Sequence, residues 1–265
     1  MKQARIPILM YHMVRNLKGR ADSRYCCTPR QFRVQMFYLK WAGFHVIDLN
    51  NLVDGLIANR ELPRKTIAIT FDDGFKDNFE NALPVLKKYG FPATLFVVSG
   101  LIGKTNTWML EKKMPERELI SYEEIQAMAK NKIEIGSHTV SHADMTSIGP
   151  EELSEEVRKS KEDIESETGI PVRFFAYPYG RLNESARRAV MDAGYKAACS
   201  TRSGFNNNEV DPFILRRMEV YGDDSIWTFA LKITWGTNDA SLPLILRYYL
   251  SRIIERFRTA GSQWN

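Results

Sequence analysis

The sequence predicts one large α/β domain closed into a barrel-like (β/α) arrangement, and three observations carry that prediction. Short apolar runs alternate with stretches of helical period, giving seven or eight βα units within roughly 220 residues. Four helical stretches stop alike: Ala42-Gly43-Phe44, Tyr89-Gly90-Phe91, Thr168-Gly169-Ile170 and Ala193-Gly194-Tyr195 each set a glycine before the next apolar run, where a left-handed residue is needed. Polar residues gather where the predicted strands end, as a barrel with its site at one face requires. An open doubly wound sheet is the competing arrangement, but its glycine-rich nucleotide fingerprint is missing.

In chain order, Ile6–Met10 reads as a first strand running into Tyr11-His12. Thr28-Pro29-Arg30-Gln31 reads as a helix start, with Thr28 as N-cap, Pro29 in the first position and Gln31 closing a capping box. Phe32, Met36, Leu39 and Trp41 are the expected buried stripe of that helix. Strands are expected at Phe44–Ile47, Thr66–Thr70, Ala93–Val98, Ile133–Gly136, Phe174–Tyr177, Lys196–Ser200 and Met218–Tyr221. Helices fit between them at Phe79–Tyr89, Ser121–Ala129, Glu151–Thr168 and Glu184–Ala193. The many acids of Glu151–Thr168 read as a solvated face and receive no role. The interval Gly100–Ile120 has little period and reads as a long loop, with Trp108 either packing or stacking on a ligand.

Composition narrows the classes. The 265 residues are 44% hydrophobic and 26% charged, which suits a soluble globular chain. No apolar run reaches the length of a membrane span, and the apolar start Ile6–Val14 is interrupted by Pro7 and His12, so no signal peptide is expected. Cys26, Cys27 and Cys199 form neither a disulfide framework nor a paired metal motif, and a cytoplasmic protein is the expectation. The net charge of +5 is uneven: from Ser241 onward Arg247, Arg252, Arg256 and Arg258 face only Glu255. No nucleic-acid motif accompanies them, so no nucleic-acid partner is expected. Residues 1–222 are read as the catalytic barrel and 223–265 as a helical extension. Within it, Leu242–Phe257 reads either as a helix docked on the barrel or as a basic amphipathic helix on an anionic membrane, which would set the protein on the inner membrane face.

The chemistry concentrates at four strand ends, one of them Tyr177-Pro178-Tyr179-Gly180 after the Phe174 strand. Thr66–Thr70 runs into Asp72-Asp73-Gly74, two adjacent carboxylates that repel unless a cation lies near them. They read either as a polar turn or as a metal ligand beside a proton-handling base. Of four histidines in the chain, His138 and His142 stand four apart after another strand, and His12 follows the first. His45 lies within a strand and is read as structural. Two imidazoles and one carboxylate supply the donors of an open catalytic zinc-type site.

Thr70-Phe71-Asp72-Asp73-Gly74, His138-Thr139-Val140-Ser141-His142 and Phe175-Ala176-Tyr177-Pro178-Tyr179-Gly180, in that order, resemble the first three motifs of the polysaccharide deacetylases, the NodB-homology enzymes. The resemblance extends over roughly Ile6 to Tyr221. It implies a distorted (β/α) barrel of about seven strands that removes the N-acetyl group from a sugar, with another amide or ureide substrate, or a silent carbohydrate-binding barrel, as alternatives. Carried onto this chain, it implies Asp73, His138 and His142 as ligands of a divalent metal, most simply Zn²⁺, with Co²⁺, Ni²⁺ or Fe²⁺ able to take the same set. It implies Asp72 as general base and the backbone N–H of Tyr179 as oxyanion donor; Pro178 and Tyr179, with Trp108 from the long loop, are expected against the N-acetylated carbohydrate. Two positions depart from the family pattern. Ala176 stands where an arginine usually orients the base, which makes Arg217 the candidate replacement, with Arg173 and Arg181 as alternatives. No histidine follows His142, which leaves Asp72 itself or His12 as proton donor.

Overall fold

The computed structural model describes residues 5–16, 24–110 and 114–239. The strands are β1 (Ile8–Tyr11), β2 (Met13–Val14), β3 (Cys26–Cys27), β4 (His45–Val46), β5 (Thr66–Phe71), β6 (Ala93–Val97), β7 (Ile133–Ser137), β8 (Phe174–Ala176), β9 (Ala197–Cys199) and β10 (Met218–Glu219). The helices are α1 (Pro29–Trp41), α2 (Leu49–Ile57), α3 (Leu83–Tyr89), α4 (Tyr122–Ala129), α5 (Pro150–Thr168), α6 (Glu184–Asp192) and α7 (Ile226–Trp235). The main sheet runs β10-β1-β5-β6-β7-β8-β9, with β4 beside β5 and every pairing parallel. Its two edges meet at Leu215, whose N–H donates to Ala198 and whose carbonyl accepts from Ser200, just before the chain enters β10. The sheet therefore curls into the seven-stranded (β/α) barrel expected.

Side-chain parity explains why the strands read as continuous apolar runs, since both faces of each are buried. Ile8, Ala68, Phe96, Phe174, Ala176, Ala197 and Cys199 fill the barrel interior, and Leu49, Leu52 and Val53 of α2 belong to the same cluster. Their neighbours one residue along, such as Leu9, Ile69, Leu95, Ile135 and Phe175, pack outward against the helices. Inside, Gly136 makes room for Phe96: a Cβ there would stand 2.5 Å from that ring. By the same alternation the inward positions at the C-terminal strand ends include His12, Asp72, His138 and Glu219.

Both expected capping boxes are present, Thr28 with Gln31 and Ser121 with Glu124. Three details differ from the sequence reading. Trp41 is 75% exposed rather than part of the α1 stripe. It lies nine positions after Phe32, half a helical revolution away at 3.6 residues per turn, whereas Met36 and Leu39 stay on Phe32's side. Helix α2 went unassigned although Leu49, Leu52, Val53 and Leu56 follow the i, i+3, i+4, i+7 pattern and pack into the interior cluster. The expected helix Phe79–Tyr89 opens with one π-turn, Asn78–Ala82, before α3. The interval Gly100–Ile120 is also less shapeless than its sequence: Gly103 donates to Ile120 and Leu119 to Lys104, folding it back on itself.

Of the expected extension, α7 is described and packs beside α1. Leu242–Phe257 lies outside the described residues. No helix among the described residues is long and apolar enough to cross a membrane.

Candidate active site

The strand ends deliver Asp72, Asp73, His138, His142, His12, Trp108 and Tyr179 to one cavity of about 380 Å³. Met10, Met13, Arg24, Tyr25, Thr201 and Glu219 complete much of its wall. The backbone that presents the polar residues is strained: Asp73, Thr139, His142 and Tyr179 all have φ between 58° and 72°, a region non-glycine residues rarely occupy. Such conformations persist only where surrounding contacts over-determine them.

Those contacts can be named. His142 N–H donates to Thr139 Oγ1 at 2.9 Å, and Thr139 N–H to Ser137 Oγ at 3.3 Å. Glu156 of α5 accepts from the N–H groups of Val140 and Ser141, at 2.8 and 3.0 Å, and from the Ser141 hydroxyl. This corrects the reading of the α5 acids as solvated and without a role. Glu156 sits on the shoulder of the buried stripe Leu153, Val157, Ser160 and Ile164, close enough to clamp the histidine loop. Arg181 pairs with Asp144, linking that loop to the Tyr179 turn.

Asp73 Oδ1 lies 3.4 Å from His138 Nε2 and 3.2 Å from His142 Nε2. The three residues are buried, and their donor atoms fall within 4.8 Å of one another. A tetrahedral ion with bonds of about 2.0–2.1 Å separates its ligand atoms by roughly 3.3–3.4 Å, so the spacing suits a metal of zinc's size. Protonation chemistry agrees. His138 Nδ1 stands 2.7 Å from the Ala176 carbonyl and must donate to it, so a neutral ring turns the Nε2 lone pair toward the Asp73 carboxylate. With its proton on Nδ1, the ring leaves Nε2 free to ligate a cation lying between it and Asp73. Burial pushes the Asp73 carboxyl up, but the two imidazoles reverse this and hold it well below the usual range. These residues can hold a divalent metal.

Asp72 takes a different environment one residue away. Its Oδ1 and Oδ2 accept from Arg217 Nη1 and Nη2 at 2.6 and 2.7 Å, a bidentate pair buried inside the barrel. Arg217 is itself fixed by donation to the Ser200 carbonyl and Thr70 Oγ1, with its guanidinium over the Phe96 ring. Burial alone pushes the Asp72 carboxyl up; the Arg217 charge and hydrogen bonds, together with His138 and His12, outweigh it and leave the group below its ordinary value. Of the three arginines considered, the structure brings only Arg217 to Asp72. Arg173 lies 3.8 Å from Glu134, and Arg181 serves Asp144.

His12 lines the cavity with its ring edge-on to Tyr25 at 5.2 Å. Trp108 stacks on His142 at 4.5 Å between ring centres, and Tyr179 meets the same imidazole edge-on at 4.6 Å. Both aromatic rings thus border the site. Pro178 does not: it is buried and does not line the cavity, so its expected substrate contact is withdrawn. Its ring constrains the turn that presents Tyr179. Gly180 follows with φ 67°, and any Cβ there would collide with Thr201.

The comparisons agree with this geometry. The family model for polysaccharide deacetylase matches residues 59–198. The chain is 28% identical over 219 residues to YxkH of Bacillus subtilis (strain 168), whose name places it among polysaccharide deacetylases, covering 83% of this chain and 72% of that protein. It is 30% identical over 186 residues to the poly-beta-1,6-N-acetyl-D-glucosamine N-deacetylase of Staphylococcus aureus (strain MRSA252), covering 65% of this chain and 60% of that protein. Among solved structures, IcaB from Ammonifex degensii superposes with a TM-score of 0.75 at 25% identity, over 87% of this chain and 98% of that one. BC0361, a polysaccharide deacetylase from Bacillus cereus, gives 0.74 at 26% identity, over 87% and 69%. A family match over more than half its length, on a barrel carrying the Asp-His-His set, shows that the chain belongs to the polysaccharide deacetylase family, hydrolases of carbon–nitrogen bonds.

Proposed function

We propose that this protein hydrolyses the acetamide of N-acetylglucosamine units in a β-1,6-linked or related polysaccharide, releasing acetate and leaving a free amine on the sugar. The observation that carries the reading is the adjacency of Asp73, facing two imidazoles, and Asp72, held by Arg217. One carboxylate is placed to ligate while its neighbour stays an ionised base.

Asp73, His138 and His142 would hold the metal, with Zn²⁺ the simplest occupant of two nitrogens and one carboxylate oxygen. When bound, the ion supplies Lewis-acid polarisation of the carbonyl and acidifies water. Asp72 accepts the proton of the attacking water at a carboxylate oxygen, and Arg217 keeps that oxygen anionic beforehand. The backbone N–H of Tyr179 donates to the developing oxyanion, a task that needs a donor fixed before reaction. His12 delivers a proton to the departing nitrogen, taking the role of the absent late histidine. Trp108 and Tyr179 give the sugar apolar faces to lie against.

Acetate release from poly-β-1,6-N-acetylglucosamine, compared with chitin oligomers, tests substrate and reaction together, alongside metal analysis of the purified protein. Stoichiometric metal, with turnover abolished in Asp72→Asn, is the expected result. Unchanged turnover after replacing both His138 and His142 by alanine would refute the mechanism.

A further inference from the structure

Helix α1 presents an unusual outer face. Val34, Phe37 and Trp41 are 43%, 56% and 75% exposed, and α7 beside it exposes Trp227 to 78%. The two helices adjoin along their length: Gln31 Nε2 donates to the Gly222 carbonyl at 2.7 Å, and Tyr38 meets Phe229 ring to ring at 6.1 Å. Val34, Phe37 and Trp41 fall at i, i+3 and i+7 on the outer side of α1, so they form a stripe rather than scattered points, and Trp227, two positions before Phe229, stands on the outer side of α7. Exposed apolar area of this kind marks a contact surface.

Charge identifies what it contacts. Exposed Arg30, Arg33 and Lys40 border the stripe on α1, and neither α1 nor α7 contains a carboxylate. Across the barrel, α5 carries eight carboxylates against three basic side chains. The sheet order sets three strand spacings between β1, which precedes α1, and β7, which precedes α5, so the two helices flank opposite sides. These two flanks thus carry opposite charge, with the aromatic stripe on the positive one. The chain leaving α7 continues into residues that include Arg247, Arg252, Arg256 and Arg258.

We infer that the α1–α7 face docks on an anionic lipid bilayer, Phe37, Trp41 and Trp227 entering the headgroup region while Arg30, Arg33 and Lys40 meet lipid phosphates. Aromatic side chains favour that interfacial depth, and basic residues beside them set the preference for negative lipid. The inference stands apart from the identity of the sugar.

Sedimentation of the full chain with vesicles of phosphatidylcholine, alone or with one third phosphatidylglycerol, tests it. Binding to the anionic vesicles only, weakened by added salt, is expected. Reversing Arg30, Arg33 and Lys40 to glutamate should lower partitioning by roughly fivefold for each residue. Phe37→Ser with Trp41→Ser and Trp227→Ser should lower it tenfold or more. Both variants should release acetate from a soluble oligosaccharide at the wild-type rate, which shows that they fold. Equal binding to both vesicle types, or variants that bind like wild type, would overturn the inference, the latter placing any contact in residues 240–265. A wild-type dimer by light scattering that becomes monomeric in the serine variant would also overturn it, because a second copy would then cover the stripe.

Discussion

Replacing Arg217 by methionine isolates how Asp72 is kept a base. Arg217 is fully buried, its fork occupied by both Asp72 oxygens, Thr70 and the Ser200 carbonyl. Removing one partner of such a pair leaves an uncompensated buried charge and costs about 3–5 kcal/mol of stability. At this chain length that corresponds to a fall in Tm of roughly 2–4 °C for each kcal/mol. The pH consequence has a definite sign. Asp72 sits below its ordinary value because Arg217, aided by His138 and His12, outweighs burial, so the stability it confers is present above the unfolded carboxylate pKa and lost as pH falls through the folded one. Without Arg217, burial loses its largest opponent, with only His138 and His12 left against it, and the carboxylate ionises at higher pH. The acidic limb of kcat/KM therefore moves upward, which the initial rate of acetate release across a pH series measures directly. Arg217→Lys keeps the charge but not the fork and should fall between. Combining Asp72→Asn with Arg217→Met should recover part of the lost Tm, since no unpaired charge remains. An acidic limb unmoved in Arg217→Met would refute the assignment of Arg217 as the group that holds Asp72 ionised.

Glu156→Gln keeps the size of the side chain clamping the histidine loop but weakens its acceptance from Val140 and Ser141, and Zn²⁺ affinity by chelator competition should fall about 10–100-fold while the fold persists. Gly136→Ala sets a Cβ 2.5 Å from Phe96, whose ring underlies Arg217, and should cost about 1–3 kcal/mol in denaturant titration. Asp77 is buried with its carboxyl pushed up to about 6, chiefly by desolvation, while accepting from the Val14 N–H. A carboxyl raised on folding loses stability as pH climbs from about 4 to 6, so Asp77→Asn should raise Tm at pH 7.5 and leave it unchanged at pH 4.

The barrel was legible because strands buried on both faces and glycine stops at helix ends are local signals, each contained within a dozen residues. The Asp-Asp and His-x-x-x-His groups were legible for the same reason, each sitting beside the strand that carries it. Contacts that cross the barrel were legible only where the family resemblance asked for one, as it did in naming Arg217 for Asp72. Arg217 reaches Asp72 over 145 positions, and nothing in the Leu215-Arg216-Arg217 stretch by itself separates Arg217 from Arg216, which is exposed. Parity does separate them, but only once closure of the sheet fixes which side faces in. Glu156 escaped notice because its neighbours on α5 are genuinely solvated, and only the position of the histidine loop distinguishes it from them. Trp41 went the other way, counted as core for being apolar although helical geometry had already turned it outward.

These cases share a physical basis that bears on how the site evolved its support. The donors of the metal-binding set lie on short strained loops, and strain of this kind persists only when tertiary contacts over-determine it. Asp73 leans on two imidazoles, the histidine loop on Glu156 and Ser137, and Asp72 on an arginine from the strand that closes the barrel. With Ala176 in the position from which the family's arginine usually reaches the base, the Ala176 carbonyl still orients His138, while the guanidinium comes from Arg217, just ahead of β10. An Ala176→Arg substitution would therefore not restore a lost pair. It would drive a second guanidinium into an interior already filled by Phe96 and Arg217, and loss of the folded barrel in circular dichroism is the expected outcome. A folded and active Ala176→Arg protein would show instead that the two arginine positions are interchangeable.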